Sequence, residues 1–234
     1  KKGLHRVAWD MHYPSSAPVK LSKPSGYVPP WAVPPKGPMA LPGKYTVTLK
    51  KRQFGEVSVL SEAQPFNLNL MTNSPEITTD RVALLAIQKR VANLLRSVRG
   101  ASRAQAQIKD RIKHLTAAID LTPSSTEQHA QTVRVLIARV AQLSVLLDGD
   151  DTVRARQEPV PWSVSGRTSS LYYAITGSQN RVSGNHLASL DIAEAEYTRV
   201  ADQLKVLQTA LTALEVELEA IGAPWTPGRI PSID

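Results

Sequence analysis

Residues 185–221 read NHLASLDIAEAEYTRVADQLKVLQTALTALEVELEAI, and their spacing decides the fold. Tyr197, Val200, Leu204, Leu207, Leu211, Leu214, Leu218 and Ile221 succeed one another in alternating steps of three and four. Such steps place every apolar side chain on one stripe of a long helix, a seam of coiled-coil type that partner helices must cover. Gly222 follows as the expected C′ residue.

The partners are sought upstream, where the same period recurs. Val82, Leu85, Val91, Leu94, Leu95 and Val98 form one stripe, and Ile108, Ile112, Leu115 and Ile119 resume it beyond Gly100. Thr78 or Thr79 is the expected N-cap. A helix of about 40 residues at 1.5 Å per residue would span about 60 Å. Pro123 stops it, and Ser124 with Glu127 gives a capping-box pattern for a second helix through Val133, Leu136, Ile137, Val140, Leu143 and Leu147. The polar run 148–151 (DGDD) ends that helix. A connector over 154–165, with Pro159 and Pro161, leads to a short helix at 168–176 and a turn at 177–184. Arg167, Tyr172 and Tyr173 are expected to pin this connector to the bundle. Residues 77–222 are thus predicted to form an up-down bundle of three long helices and one short one.

Residues 1–76 have a different texture. Apolar alternation at 4–13 suggests a short strand, and nine prolines then fall between Pro14 and Pro42, where no central strand is feasible. Residues 44–49 (KYTVTL) alternate with Tyr45, Val47 and Leu49 on one face; Val57 and Val59, then Phe66, Leu68 and Leu70, mark further strands. Turn-separated strands predict an antiparallel, immunoglobulin-like sandwich. About seven strands complete such a fold, and four or so are present, so the first strands are expected upstream of Lys1. The fold class is α+β: a partial sandwich (1–76), the bundle (77–222), and an extended tail (223–234).

The 234 residues are 42% hydrophobic, enough for a core, and contain no cysteine. Disulfides, thiolate metal sites and a cysteine nucleophile are excluded. No run approaches the roughly 18 apolar residues of a membrane span, so no transmembrane segment is expected. The net charge of +8 is unevenly spread: residues 1–80 hold ten cations and five anions, 81–156 thirteen and six, 157–234 five and nine. Opposite charge on two predicted helical segments favours neutralisation within the bundle. Nucleic acid binding calls for a focused basic face with base-reading or aromatic groups, and aromatic residues are only 5% here.

Catalytic patterns are missing. His5, His12, His114, His129 and His186 have no zinc spacing, and neither a G-x-S-x-G elbow nor a phosphate-cradling glycine loop is present. Glu215 and Glu219 sit four apart on one helix face, where a solvated or ion-paired face is the ordinary reading of such a pair. Asp148, Asp150 and Asp151 lack the alternate spacing and distal glutamate of a calcium loop. No catalytic residue, metal or cofactor is expected. Of Trp9, Trp31, Trp162 and Trp225, burial is the ordinary fate, and Trp9 and Trp31 are the ones set to stack on a ligand such as a sugar ring.

Residues 3–14 (GLHRVAWDMHYP) resemble the GLNRFxWDLRYP stretch of bacterial sortilin-like, Asp-box β-propeller proteins, which often carry a glycosyl hydrolase label. Residues 37–47 (GPMALPGKYTV) look like their GP…PGTYTV segment, and 218–231 (LEAIGAPWTPGRIP) are similar to the close of their helical region. His5 and His12 depart from the usual Asn and Arg. The resemblance implies a large secreted, periplasmic or surface protein built of a propeller, an Ig-like domain and this helical region. The Asp-box motif itself is absent here, so any hydrolase activity would lie upstream. The expected role is a non-catalytic scaffold or protein-interaction module of such a protein. Its partner is the upstream propeller and Ig-like part, or a cleaved chain carrying them, within a larger surface assembly. The alternative is an accessory carbohydrate-binding module of a polysaccharide-processing glycoside hydrolase.

Overall fold

The computed structural model describes residues 3–19, 27–30, 32, 36–71 and 80–230. It is α+β, with four short strands, β1 (Gly43–Val47), β2 (Lys50–Gln53), β3 (Glu56–Val59) and β4 (Gln64–Leu68). Five helices follow: α1 (Arg81–Asp120), α2 (Glu127–Asp148), α3 (Asp151–Ala155), α4 (Val164–Thr176) and α5 (Gly184–Ala220).

The seam on α5 is buried as its spacing required. Val200, Leu207, Leu211, Leu214 and Leu218 are at most 2% exposed, while Tyr197, Leu204 and Ile221 pack half-buried at the margin. They meet Val91, Val98 and Leu115 of α1 and Leu136, Leu143 and Leu147 of α2 in one core. α1 packs against α2, α4 and α5, so the 40-residue helix is the spine of the bundle. Gly100 does not break it. Two buried amides on the spine find partners: Gln88 donates to the carbonyls of Ile175 and Ser178, and Gln105 to Ser144 Oγ. Buried amides left unpaired would cost more than those bonds return.

The helix ends are refined by the structure. Asp80, rather than Thr78 or Thr79, caps α1, its carboxylate accepting from the Ala83 amide at 2.9 Å. Thr78 and Thr79 lie outside the described residues. Thr126, rather than Ser124, caps α2, with His129 Nδ1 accepting from the Thr126 amide at 3.0 Å. Ser124 is drawn off by a tertiary bond, donating to the Ile221 carbonyl at the end of α5. α4 begins at a Ser163 cap, earlier than the Thr168 expected. Residues 148–151 end α2 at Gly149 and also start α3, a turn the sequence reading lacked, through the Asp150 cap.

At the end of α5 the Gly222 amide donates to the Glu219 carbonyl and the Ala223 amide to Leu218, with Gly222 at φ 73°. That is a complete Schellman closure. Residues 223–230 of the tail fold back rather than run extended. Trp225 Nε1 donates to the Arg229 carbonyl, and the Arg229 side chain, 4% exposed, reaches the Ala223 and Pro224 carbonyls and Glu219. Gly228 (φ 101°) lies against Arg111, where a Cβ would stand 2.7 Å from Nε.

The β part is a ribbon, not a sandwich. β1 pairs with β4 and β2 with β3, both antiparallel, along one long hairpin that turns at Phe54 and Gly55. Every residue of β2 and β3 is exposed, and no second sheet faces them among the described residues. A sandwich needs strands beyond these four, and β1–β4 are used up in pairing with one another. Residues 4–13 form no strand either: Leu4 and Val7 are fully exposed, and only His12 makes a bridge, to Met39. This segment is held by Tyr13 and Met11 exchanging backbone bonds with Gly37, Pro38 and Ala40. Gly37 is required there, since a Cβ would come within 2.4 Å of the Pro14 carbonyl oxygen.

By length and composition, α2 is apolar enough to cross a membrane, which the sequence reading had not granted any segment. It nevertheless delivers Val133, Leu136, Val140, Leu143 and Leu147 to the bundle core.

Candidate interaction surface

The register of β1 on β4 sets Tyr45 directly opposite Phe66. Their rings stack at 5.8 Å between centroids, and Trp9 closes on both, tilted at 5.5 Å to Tyr45 and edge-on at 6.0 Å to Phe66. Aromatic contacts at these separations add about 0.5–1.5 kcal/mol each beyond area burial. Trp9 Nε1 donates to the His12 carbonyl at 3.3 Å, and Tyr45 Oη to the Leu41 carbonyl at 2.6 Å. The cluster is therefore positioned, yet Trp9 remains 45% and Phe66 37% exposed. Along the same hairpin Val47, Leu49, Val57, Val59 and Leu60 are each more than half exposed. Single exposed apolar residues are commonplace; here five lie along one ribbon.

Polar groups flank the aromatics. Lys36 Nζ lies 3.1 Å from Asp10 Oδ2, and the His12 amide donates to Asp10 Oδ1. The Lys36 bond first, then the backbone bond, hold the Asp10 carboxyl below its ordinary value. The whole face is fastened to the bundle at two points. Tyr172 Oη donates to the Lys36 carbonyl at 2.6 Å, and Lys89 Nζ sits 4.4 Å over the Tyr13 ring. Tyr172 thus pins the N-terminal segment rather than the connector. Arg167 ties α4 to α5 through Glu196 at 3.3 Å, and Tyr173 is largely exposed against Tyr172.

Trp9 is accordingly at an exposed aromatic face, whereas Trp31 lies outside the described residues. Trp162 and Trp225 are also more than half exposed, but apart from this cluster. The sequence reading singled out Trp9 and missed its ring partners. The signal existed in Tyr45 and Phe66, but only the pairing register brings the two opposite each other.

The charged residues serve the architecture. Glu215 is 4% exposed and takes both Nε and Nη2 of Arg111; Glu219 meets Arg229 at 2.8 Å. The pair of glutamates is ion-paired, as expected of that spacing. Arg90 bridges Asp191 and Glu194, and those two carboxylates, Glu194 foremost, raise its pKa further. The expected facing of α5 acids to α1 cations is realised there. Glu196 instead pairs with Arg167 of α4, and Asp202 with Lys205 of its own helix. Asp150 caps α3, and the Thr152 hydroxyl, then the backbone amides, lower its pKa. No cluster of three or more metal-ligating side chains occurs among the described residues.

Comparison with protein-family models, with curated proteins and with solved structures gives no match for this chain.

Proposed function

We propose that this chain is a non-catalytic interaction module, the C-terminal part of a larger extracytoplasmic sortilin-like propeller protein. In this reading the bundle is a rigid base, and the ribbon with Trp9, Tyr45 and Phe66 seats against the upstream Ig-like and propeller part. The supporting observation is the ribbon itself: a fixed aromatic cluster, with exposed valines and leucines on strands that no layer covers among the described residues. A two-stranded ribbon is marginal in water, so a covering partner would supply the burial it lacks. The resemblance of residues 3–14, 37–47 and 218–231 supplies the identity of that partner.

The test is amide exchange on β1 and β4 in this chain and in a longer polypeptide carrying the preceding coding sequence. Docking slows exchange at Tyr45 and Phe66 by about a hundredfold or more, given several kcal/mol of new protection. Equal exchange rates in the two polypeptides would sink the reading.

The alternative, an accessory carbohydrate-binding module, draws on Trp9 lying half-exposed, next in sequence to Asp10, whose carboxylate meets Lys36 at 3.1 Å. Titration of Trp9 fluorescence against soluble polysaccharides, with Trp9→Ala as control, separates the two. Retention on a polysaccharide that Trp9→Ala abolishes would favour the alternative.

A further inference from the structure

α2 carries a second seam that the bundle does not use. Only five of its 22 residues are buried, and the face turned away from the core reads Arg134, Ala138, Ala141, Val145 and Asp148, again in steps of four and three. All five are exposed, and Ile137, 49% exposed, lies at the edge of the stripe. Ile137, Ala141 and Val145 also wall a groove of about 500 Å³ that Ile112 and Thr116 close on the α1 side.

We propose that this face binds a second copy of the chain, two α2 helices crossing antiparallel about a two-fold axis at Ala141. The argument is self-complementarity, as a two-fold contact demands. Residues equidistant from Ala141 meet across the axis. Arg134 and Asp148 each lie seven positions away, so each arginine faces the other copy's aspartate. Ile137 and Val145 each lie four away and pack together. Ala138 and Ala141 leave the backbones free to approach, and the large side chains settle beside the α1–α2 groove. A lipid surface offers no such match, since the stripe has a cation at one end and an anion at the other. Arg134 now holds Glu127 and Gln131 of its own helix in an exposed cluster that a partner's aspartate can join, and the Asp148 carboxylate accepts a 3.3 Å bond from Ser102. Both ends therefore have charge to share with a partner.

Sedimentation of the full chain between about 1 and 100 μM, a range that brackets a micromolar Kd, is expected to show monomer giving way to dimer. Ala141→Glu should leave a monomer of unchanged helical circular dichroism. Arg134→Glu and Asp148→Lys should each weaken the dimer by about fivefold to tenfold, and the double exchange should restore it. The chain has no cysteine, so Ala141→Cys gives a clean probe: a residue on the axis forms a disulfide with its own counterpart under mild oxidation. A monomer throughout that range overturns the proposal. So does a dimer indifferent to Ala141→Glu, or single charge variants that the double exchange fails to rescue.

Discussion

Glu215 and Arg111 exchange two hydrogen bonds across the α1–α5 interface, with Glu215 nearly sealed from water and Arg111 held also by Gln208. Removing one partner strands the other, and the energetic weight lies in that stranded charge rather than in the pair. Glu215→Ala is expected to cost about 3 kcal/mol in urea denaturation, the low end for buried pairs because Arg111 keeps 18% exposure. The joint replacement Arg111→Met with Glu215→Leu should recover most of that loss. Asp10 gives a pH prediction of known sign. Lys36 and the His12 amide lower its folded pKa beneath 3.8. The latch is therefore fully present above 3.8 and is lost as pH falls through the lower folded value. Carboxyl chemical shifts should place the Asp10 midpoint below 3.8, and Lys36→Ala should bring it back up toward 3.8.

The helices were legible as elements, because one seam of three-and-four steps leaves no other period for residues 185–221. Their caps were not. Thr78, Thr79 and Asp80 stand in a row, as do Ser124, Ser125 and Thr126, and each residue can cap by its chemistry. At α2 the choice was made by a group far away in sequence, the Ile221 carbonyl that claims Ser124. The C-terminal closure was legible, since Gly222 must take a positive φ there and glycine alone does so without strain. Gly222→Ala should cost about 1 kcal/mol, measured as a lowered Tm, with no change in helix content at room temperature. For the strands, alternation located the β segments but gave neither partner nor layer. A sandwich and a bare ribbon share the same period of two, and only chain outside the alternation decides between them.

For the molecule as a whole, the balance of burial is lopsided. The bundle holds nearly the entire apolar core, and of the described residues before α1 only Ala40 joins the buried hydrophobics. The two parts touch through Tyr172, Lys36, Lys89 and Tyr13, contacts of hydrogen-bond and cation–π strength. Gly37→Ala, whose new methyl would strike the Pro14 carbonyl, is expected to free Tyr13 and Lys36 from the bundle while leaving the bundle intact. Limited proteolysis should then cut before Gly43 at least tenfold faster, with the thermal transition of the helices moved by less than about 2 °C. A large drop in that transition would mean the β part contributes to the core, against the burial pattern. Trp9 was legible as a candidate because a tryptophan in a β-like stretch has few roles. The folded-back tail was not, because it depends on Arg229 threading among the Ala223 and Pro224 carbonyls.

The 40-residue spine also fixes where a pull on the molecule would be felt. The N-terminal segment is fastened beside Lys89 and Tyr172, and the chain leaves the bundle past Arg111, 22 residues along α1 from Lys89. At 1.5 Å per residue those anchor points are about 33 Å apart along the axis. Tension applied between the two ends of the chain would slide α5 and α4 lengthwise past α1. The interlocked leucines would then have to yield together rather than peel one at a time. A module joined this way resists stretching along its length and gives first where Lys36 and Tyr13 meet Tyr172 and Lys89.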